Sequence, residues 1–239
     1  MTDSIALVTG GNRGLGLETV TQLARSGVHV VIAARDRRQG VEAALKLQAQ
    51  GLSVEALQLD VADAESIAAA AREFARKHSK LDILVNNAGI TGETGAPSAV
   101  PVANWRMVFE TNLFGVIETT QAFLPLLRKS AAGRIVNLSS VLGSITLHAG
   151  ESLDSFKHLA AYNASKSALN AWTVHLAHEL RETPIKVNAV HPGYVKTEMN
   201  KGGGEMEIPD GARSSVQMAL IGADGPSGSF THLGEALPW

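Results

Sequence analysis

The chain has no cysteine among its 239 residues, so disulfides and thiolate metal sites are excluded, as suits a reducing, cytoplasmic setting. Redox chemistry would have to borrow a cofactor, and no metal site is expected. Aromatic residues make up 5% of the chain, with two tyrosines in all, so a tyrosine in a polar motif stands out. Charge of one sign is also scarce. Lys and Arg number 21 against 23 Asp and Glu, a net charge of −2, and there is no basic field of the kind nucleic acid or an anionic membrane surface requires. No apolar run is long enough to span a bilayer, and Met1-Thr2-Asp3-Ser4 lacks the basic region of an export signal. With no internal repeat, low-complexity tract or shift in composition, residues 1–239 are expected to form one domain.

Short β-branched runs alternate with longer alanine-rich amphipathic stretches. Ile5 to Thr9, Val28 to Ala34, Val54 to Leu59, Ile83 to Asn86, Arg134 to Leu138 and Ile185 to Val190 are near-continuously apolar, as parallel strands covered on both faces should be. Helical spacing occupies about 14–26, 39–50, 63–78, 101–128 and 158–182. The alternation predicts an α/β fold: a single-domain, Rossmann-type doubly wound parallel sheet of about seven strands with helices on both faces. Gly202-Gly203-Gly204, followed by Glu205 to Pro209, is the candidate mobile segment, either a lid or an ordinary surface loop.

The first strand runs into Thr9-Gly10-Gly11-Asn12-Arg13-Gly14-Leu15-Gly16 and directly into a helix. Glycines at 10, 14 and 16 permit a tight turn and close backbone approach, which brings a pyrophosphate against the unpaired amides of a helix N-terminus. In a strand-to-helix context this is the dinucleotide-binding pattern. The end of the second strand then selects the cofactor. An NAD site would have an acid there, but the strand ends in Ala34 and Arg35, with Asp36 one residue further on. Arginine matches the oxygens of a 2′-phosphate, and hydrogen bonds to charged groups contribute about 1.5–3 kcal/mol. That favours NADPH/NADP+ over NADH by roughly 10- to 150-fold. Arg13 is a second candidate for this pocket, with Arg37 and Arg38 as alternatives. Asp60, before Val61, is placed to accept from the adenine amino group, and Asp63 is the stronger N-cap for the helix that follows.

Tyr162 and Lys166, in Ala161-Tyr162-Asn163-Ala164-Ser165-Lys166, share one face of a helix. An ammonium beside a phenol favours the ionised form and draws its pKa from about 10 toward working pH, as proton transfer to a developing alkoxide requires.

Taken together, these motifs resemble the short-chain dehydrogenase/reductase family, and most closely its NADPH-dependent carbonyl reductase branch, over Ile5 to His232. The resemblance implies that Asn86-Asn87-Ala88-Gly89 supports the sheet and lines the cofactor ribose. It also implies that Asn112 kinks its helix and holds a water on the active-site lysine. Ser140, with Ser139 as a rival, becomes the serine that polarises a substrate carbonyl. In His191-Pro192-Gly193-Tyr194-Val195-Lys196-Thr197, Pro192 and Gly193 would cup the nicotinamide while Val195 and Thr197 contact its carboxamide; His191 is read as a packed or capping residue. Tyr162 becomes the general acid, and Lys166 a ribose ligand as well.

The implied activity is reversible reduction of a ketone or aldehyde to an alcohol on a small-molecule substrate. The alternative is a catalytically silent protein that senses NADPH, disfavoured because relatives of that kind usually lose the tyrosine or lysine. A substrate loop is expected at about 197–213, where Glu198, Met199 and Met206 suggest a partly apolar lining. An insert is expected at about 143–160, carrying Glu151, Asp154, Phe156, Lys157 and His158, with His148, Leu153 and Phe156 as candidate substrate contacts. Because such an insert can obstruct the helix face used for assembly, homodimer, homotetramer and monomer all remain open. Gly228 to His232 and Leu237-Pro238-Trp239 resemble a last strand and tail, with Trp239 packed either within the subunit or across an interface.

Overall fold

The computed structural model describes residues 4–150 and 158–239. Met1 to Asp3 lie outside these, as do Glu151, Leu153, Asp154, Phe156 and Lys157 of the expected insert. Strands β1 (Ile5–Thr9), β2 (His29–Ala34), β3 (Val54–Gln58), β4 (Ile83–Asn86), β5 (Arg134–Leu138), β6 (Lys186–Val190), β7 (Phe230–His232) and β8 (Glu235–Ala236) form one sheet in the order β3-β2-β1-β4-β5-β6-β7-β8. All neighbours are parallel except β7 and β8. The helices are α1 (Gly14–Arg25), α2 (Arg37–Gln48), α3 (Ala64–Lys77), α4 (Val102–Phe109), α5 (Gly115–Leu127), α6 (Ile145–Ala149), α7 (Ala160–Glu179) and α8 (Ile208–Ala219).

The continuous apolar strands are explained by what covers them. Leu7, Val31, Leu84 and Ile135 pack with Phe74, Leu127, Leu176 and Leu180 from α3, α5 and α7 and from the turn after α7. Ala6, Val8, Ile32 and Val136 face the other way, onto Val20, Leu23, Leu47 and Met218 from α1, α2 and α8. Burying each such large apolar side chain contributes about 1.5–3 kcal/mol. Because β1 lies between β2 and β4, strand order reverses at its carboxyl end, where a doubly wound sheet opens a crevice.

The helix boundaries need correction, and the structure describes two segments for which the sequence left alternatives open. The helix over 101–128 is divided: Glu110–Phe114 forms a wide π-turn between α4 and α5, next to a close approach of the chain to the Val61 backbone. A Cβ on Gly115 would lie 2.1 Å from the Val61 carbonyl oxygen. The glycine-rich segment after Thr197 is a hydrogen-bonded loop, in which Glu205 and Met206 donate to the Tyr194 carbonyl and Lys196 donates to that of Met206. It leads into α8, which the sequence reading did not place, since Pro209 and Gly211 obscure a helix start that tolerates Pro in its first turn. The tail packs within the subunit. Trp239 stacks on Phe230, and its backbone oxygen accepts from Thr146 N at 3.0 Å and Ser144 Oγ at 3.1 Å.

Candidate active site

The β1–α1 turn has the geometry that the glycines predict. Gly10 and Gly14 have φ of +62° and +52°, where glycine alone is unstrained. A Cβ on Gly16 would lie 2.3 Å from the Gly10 carbonyl oxygen and 2.5 Å from Asn87 Nδ2. Arg13, at the N-cap of α1, supplies no side-chain hydrogen bond to the first turn. The result is a shallow cradle bounded by backbone, with Leu15 and Gly16 in a helix turn that no side chain caps. Asn87, just after β4, closes it, donating from Nδ2 to the carbonyl oxygens of Thr9 (2.8 Å) and Gly10 (3.3 Å). Thr9 Oγ1 accepts from the amides of Asn87 and Ala88, both at 3.0 Å. That role of Thr9 went unread, because a threonine ending a strand looks like any other strand residue.

Asp36 is committed elsewhere. Its carboxylate accepts from Arg38 N (2.8 Å) and Gln39 N (3.2 Å) as the N-cap of α2, which leaves Arg35 as the exposed charge at the end of β2. Arg13 pairs with Glu198 at 3.0 Å across an exposed gap, joining the glycine turn to the loop after Thr197. Arg38 lies 3.8 Å from Glu42, and Asn12 Nδ2 donates to Gln39 at 3.0 Å. Asp60 accepts from Ala62 N at 3.0 Å before the Val61 contact described above, and Asp63 caps α3 as expected.

Helix α7 delivers Tyr162 and Lys166 beneath the ends of β4 and β5. The Tyr162 phenol shares a hydrogen bond with the Ser140 hydroxyl, which in turn accepts from Leu142 N at 3.2 Å. Ser139, the rival serine, donates instead to Asn170 Oδ1 at 2.6 Å in the interior. The Lys166 ammonium donates to the Leu138 carbonyl at 2.7 Å and lies 5.7 Å from the centre of the Tyr162 ring.

The expected acidification of the phenol is not found among the protein's own groups. Burial pushes Tyr162 up to about 12, against which the Ser140 hydrogen bond works, and burial pushes Lys166 down to about 8. At 5.7 Å across a ring face, the ammonium does not offset the loss of solvent. Near neutral pH the phenol therefore keeps its proton, the state a proton donor needs.

Asn112 sits fully buried in the π-turn. Its Nδ2 donates to the Ile90 carbonyl (2.8 Å) and Ser165 Oγ (3.0 Å), and its Oδ1 accepts from Ile90 N (2.9 Å). Both amide hydrogens are thus committed, and the side chain acts as a clamp holding the π-turn to the segment after Gly89 and to α7. A Cβ on Gly89 would lie 3.3 Å from Asn112 Oδ1 and 3.7 Å from Lys166 Nζ, so the asparagine, the glycine and the lysine are brought together. Ser165 joins them through a position that carried no signal of its own.

On the far wall, Gly193 has φ of +92°, and a Cβ there would lie 2.1 Å from Met206 Sδ. Val195 bridges to Met206 and is buried. The Thr197 amide donates to Asn200 Oδ1 at 3.0 Å in a capping box. His191, beside Pro192, packs its ring against His232 at 5.2 Å, and burial with the neighbouring imidazole pushes it down to about 3, as a packed, neutral histidine. In the described part of the insert, His148 Nε2 bonds the Leu142 carbonyl at 2.8 Å. Ile145 and His148 border a groove with Trp105, Asn163 and Ser167, one step around α7 from Tyr162 and Lys166.

No helix among the described residues is long and apolar enough to cross a membrane. Comparison with known proteins gives a consistent picture. The chain is 36% identical to a short-chain dehydrogenase/reductase 1 of Saponaria officinalis, covering 98% of this chain and 95% of the relative. It is 34% identical to the (−)-isopiperitenone reductase of Mentha piperita, covering 97% of each. Among solved structures, NADPH-bound carbonyl reductase from chicken fatty liver superposes with a TM-score of 0.87 at 31% identity, covering 100% of both chains. Residues 4–208 match the family model for short chain dehydrogenase, and the chain belongs to the short-chain dehydrogenase/reductase family.

Proposed function

We propose that the protein is an NADP-dependent oxidoreductase that reduces a ketone or aldehyde carbonyl to an alcohol, with Tyr162 as the proton donor. The observation that carries this reading is the hydrogen-bonded pair of Tyr162 and Ser140, with Lys166 one helical turn away, at the carboxyl end of a sheet whose first turn is a glycine cradle. NADPH suits the residues present: Gly10, Asn12, Gly14, Leu15 and Gly16 would hold its pyrophosphate, Arg35 and Arg13 its 2′-phosphate, and Asp60 and Val61 its adenine. Asn87, Ala88 and Gly89 would line the ribose, with Pro192, Gly193, Val195 and Thr197 around the nicotinamide. Two solved structures that resemble this chain, the chicken carbonyl reductase and a Pseudomonas aeruginosa RhlG complex, hold NADPH or NADP. With Asp36 used as a helix cap, the favoured partner of Arg35 is a phosphate rather than a free ribose.

Bound there, the cofactor supplies the hydride. The protein's groups handle the oxygen: Ser140 donates a hydrogen bond to the substrate carbonyl, and Tyr162 transfers its phenolic proton as the alkoxide develops. Lys166, anchored on the Leu138 carbonyl, has further N–H donors for the ribose and places positive charge beside the phenolate that remains. Asn112 keeps Gly89 and the lysine in register through its clamp on Ile90 and Ser165. The segment 197–213 and the stretch 143–160 would frame the substrate. Retention of both Tyr162 and Lys166 weighs against a silent NADPH-sensing role.

The test is NADPH consumption with a panel of aldehydes and ketones by the parent and the Tyr162→Phe variant. General acid catalysis contributes about 10²- to 10⁴-fold, and a loss of that size with NADPH binding retained is expected. An unaffected rate would overturn the assignment.

A further inference from the structure

The opposite end of the sheet holds a cluster that this chemistry does not use. His29 opens β2, Glu55 lies on the edge strand β3, and His78 follows the last turn of α3. Glu55 pairs in register with Val31, so the two-residue alternation puts His29 and Glu55 on the face that α3 covers. His29 Nε2 lies 3.6 Å from Glu55 Oε1, His78 Nε2 is hydrogen-bonded to the same oxygen, and the ligand atoms all fall within 4.8 Å of one another. All three residues are half-buried. We propose that His29, Glu55 and His78 form a binding site for a zinc-like divalent transition-metal ion that ties β2, β3 and α3 together.

Three features support this beyond proximity. Donors on a tetrahedral ion with bonds of about 2.1 Å are separated by about 3.4 Å, close to the His29–Glu55 spacing, and two imidazoles with one carboxylate suit zinc, nickel or copper rather than magnesium. The far nitrogen of His29, Nδ1, is held by Ser53 Oγ at 2.8 Å, the outer hydrogen bond that fixes a ligating ring and directs Nε2 inward. His78 is likewise oriented, its ring 4.7 Å from that of Phe74 in the core and 5.6 Å from that of His29. Lys77 binds the other carboxylate oxygen, Oε2, at 3.4 Å, which leaves Oε1 as a single donor facing the two rings. Three protein donors leave a fourth position for water.

The full, tag-free chain is stripped with chelator and titrated with zinc chloride in a calorimeter, with magnesium chloride in parallel. One equivalent of zinc is expected to bind, and magnesium far more weakly. His29→Gln and His78→Gln should each weaken binding at least about 100-fold, and Ser53→Ala about 10-fold. Lys77→Met, which removes no ligand atom but frees the Glu55 carboxylate from its cation, should tighten it about 2- to 5-fold. Zinc should raise the melting temperature of the parent and not of the histidine variants. No saturable zinc binding, undiminished binding in the His29→Gln/His78→Gln double variant, or unchanged or weaker binding in Lys77→Met would overturn the proposal.

Discussion

Replacing Lys166 by methionine is expected to stabilise the folded chain at neutral pH, an effect opposite to that of most core substitutions. Burial lowers the ammonium from 10.5 to about 8, and that gap corresponds to a cost of about 3 kcal/mol for carrying the charge inside the protein. Methionine fills a similar volume without the charge, but relative to the uncharged amine it forfeits a hydrogen bond to the Leu138 carbonyl, a loss of about 1 kcal/mol. The net expectation is a gain of about 2 kcal/mol near pH 6.5.

The pH dependence separates this from simple repacking. Below about pH 8 the lysine is charged in both the folded and unfolded chains, so the full cost is present. Between about pH 8 and 10.5 the folded protein releases the proton while the unfolded chain retains it, so the parent gains stability as pH rises. Between pH 6.5 and 9.5 the parent should gain about 2 kcal/mol relative to the variant, closing the difference. Urea unfolding of both proteins at the two pH values measures it, and the comparison cancels titrations common to both. A variant that is less stable at pH 6.5, with a difference that does not change at pH 9.5, would refute the burial argument.

Gly16→Ala would push a methyl against the Gly10 carbonyl and Asn87 Nδ2; a loss of about 1–3 kcal/mol in stability is expected, with weakened NADPH binding in a fluorescence titration, and normal values for both would show that the cradle is not tight. Arg35→Ala should lower the NADPH-to-NADH ratio of kcat/KM by roughly 10- to 150-fold, whereas comparable turnover with both cofactors in the parent would remove the role given to this residue.

Much of the site was legible because its parts are local in sequence. The glycines at 10, 14 and 16 encode their own backbone, and Tyr162 and Lys166 encode their shared face by spacing alone. The resemblance singled out Asn112, which lies in the π-turn and bonds Ile90 and Ser165, contacts that its sequence neighbours do not announce. What escaped were partnerships across the fold, such as Thr9 with Asn87, Ser165 with Asn112, and Arg13 with Glu198, where nothing near either residue announces the other. The start of α8 was hidden by Pro209 and Gly211, although a proline in the first turn is compatible with a helix start, and the helix packs against α1 and the sheet.

The sequence by itself determined the doubly wound architecture, through apolar runs of strand length alternating with amphipathic helices, and it determined the family, through motifs that hold their order along the chain. Only the tertiary structure decided the protonation of the site. Tyr162 and Lys166 shift in opposite directions because both are cut off from water, and desolvation depends on everything packed around a group rather than on its neighbours in sequence. The same holds for His29, Glu55 and His78, which meet because parallel pairing of β2 with β3 and the length of α3 bring three distant residues to one corner of the sheet.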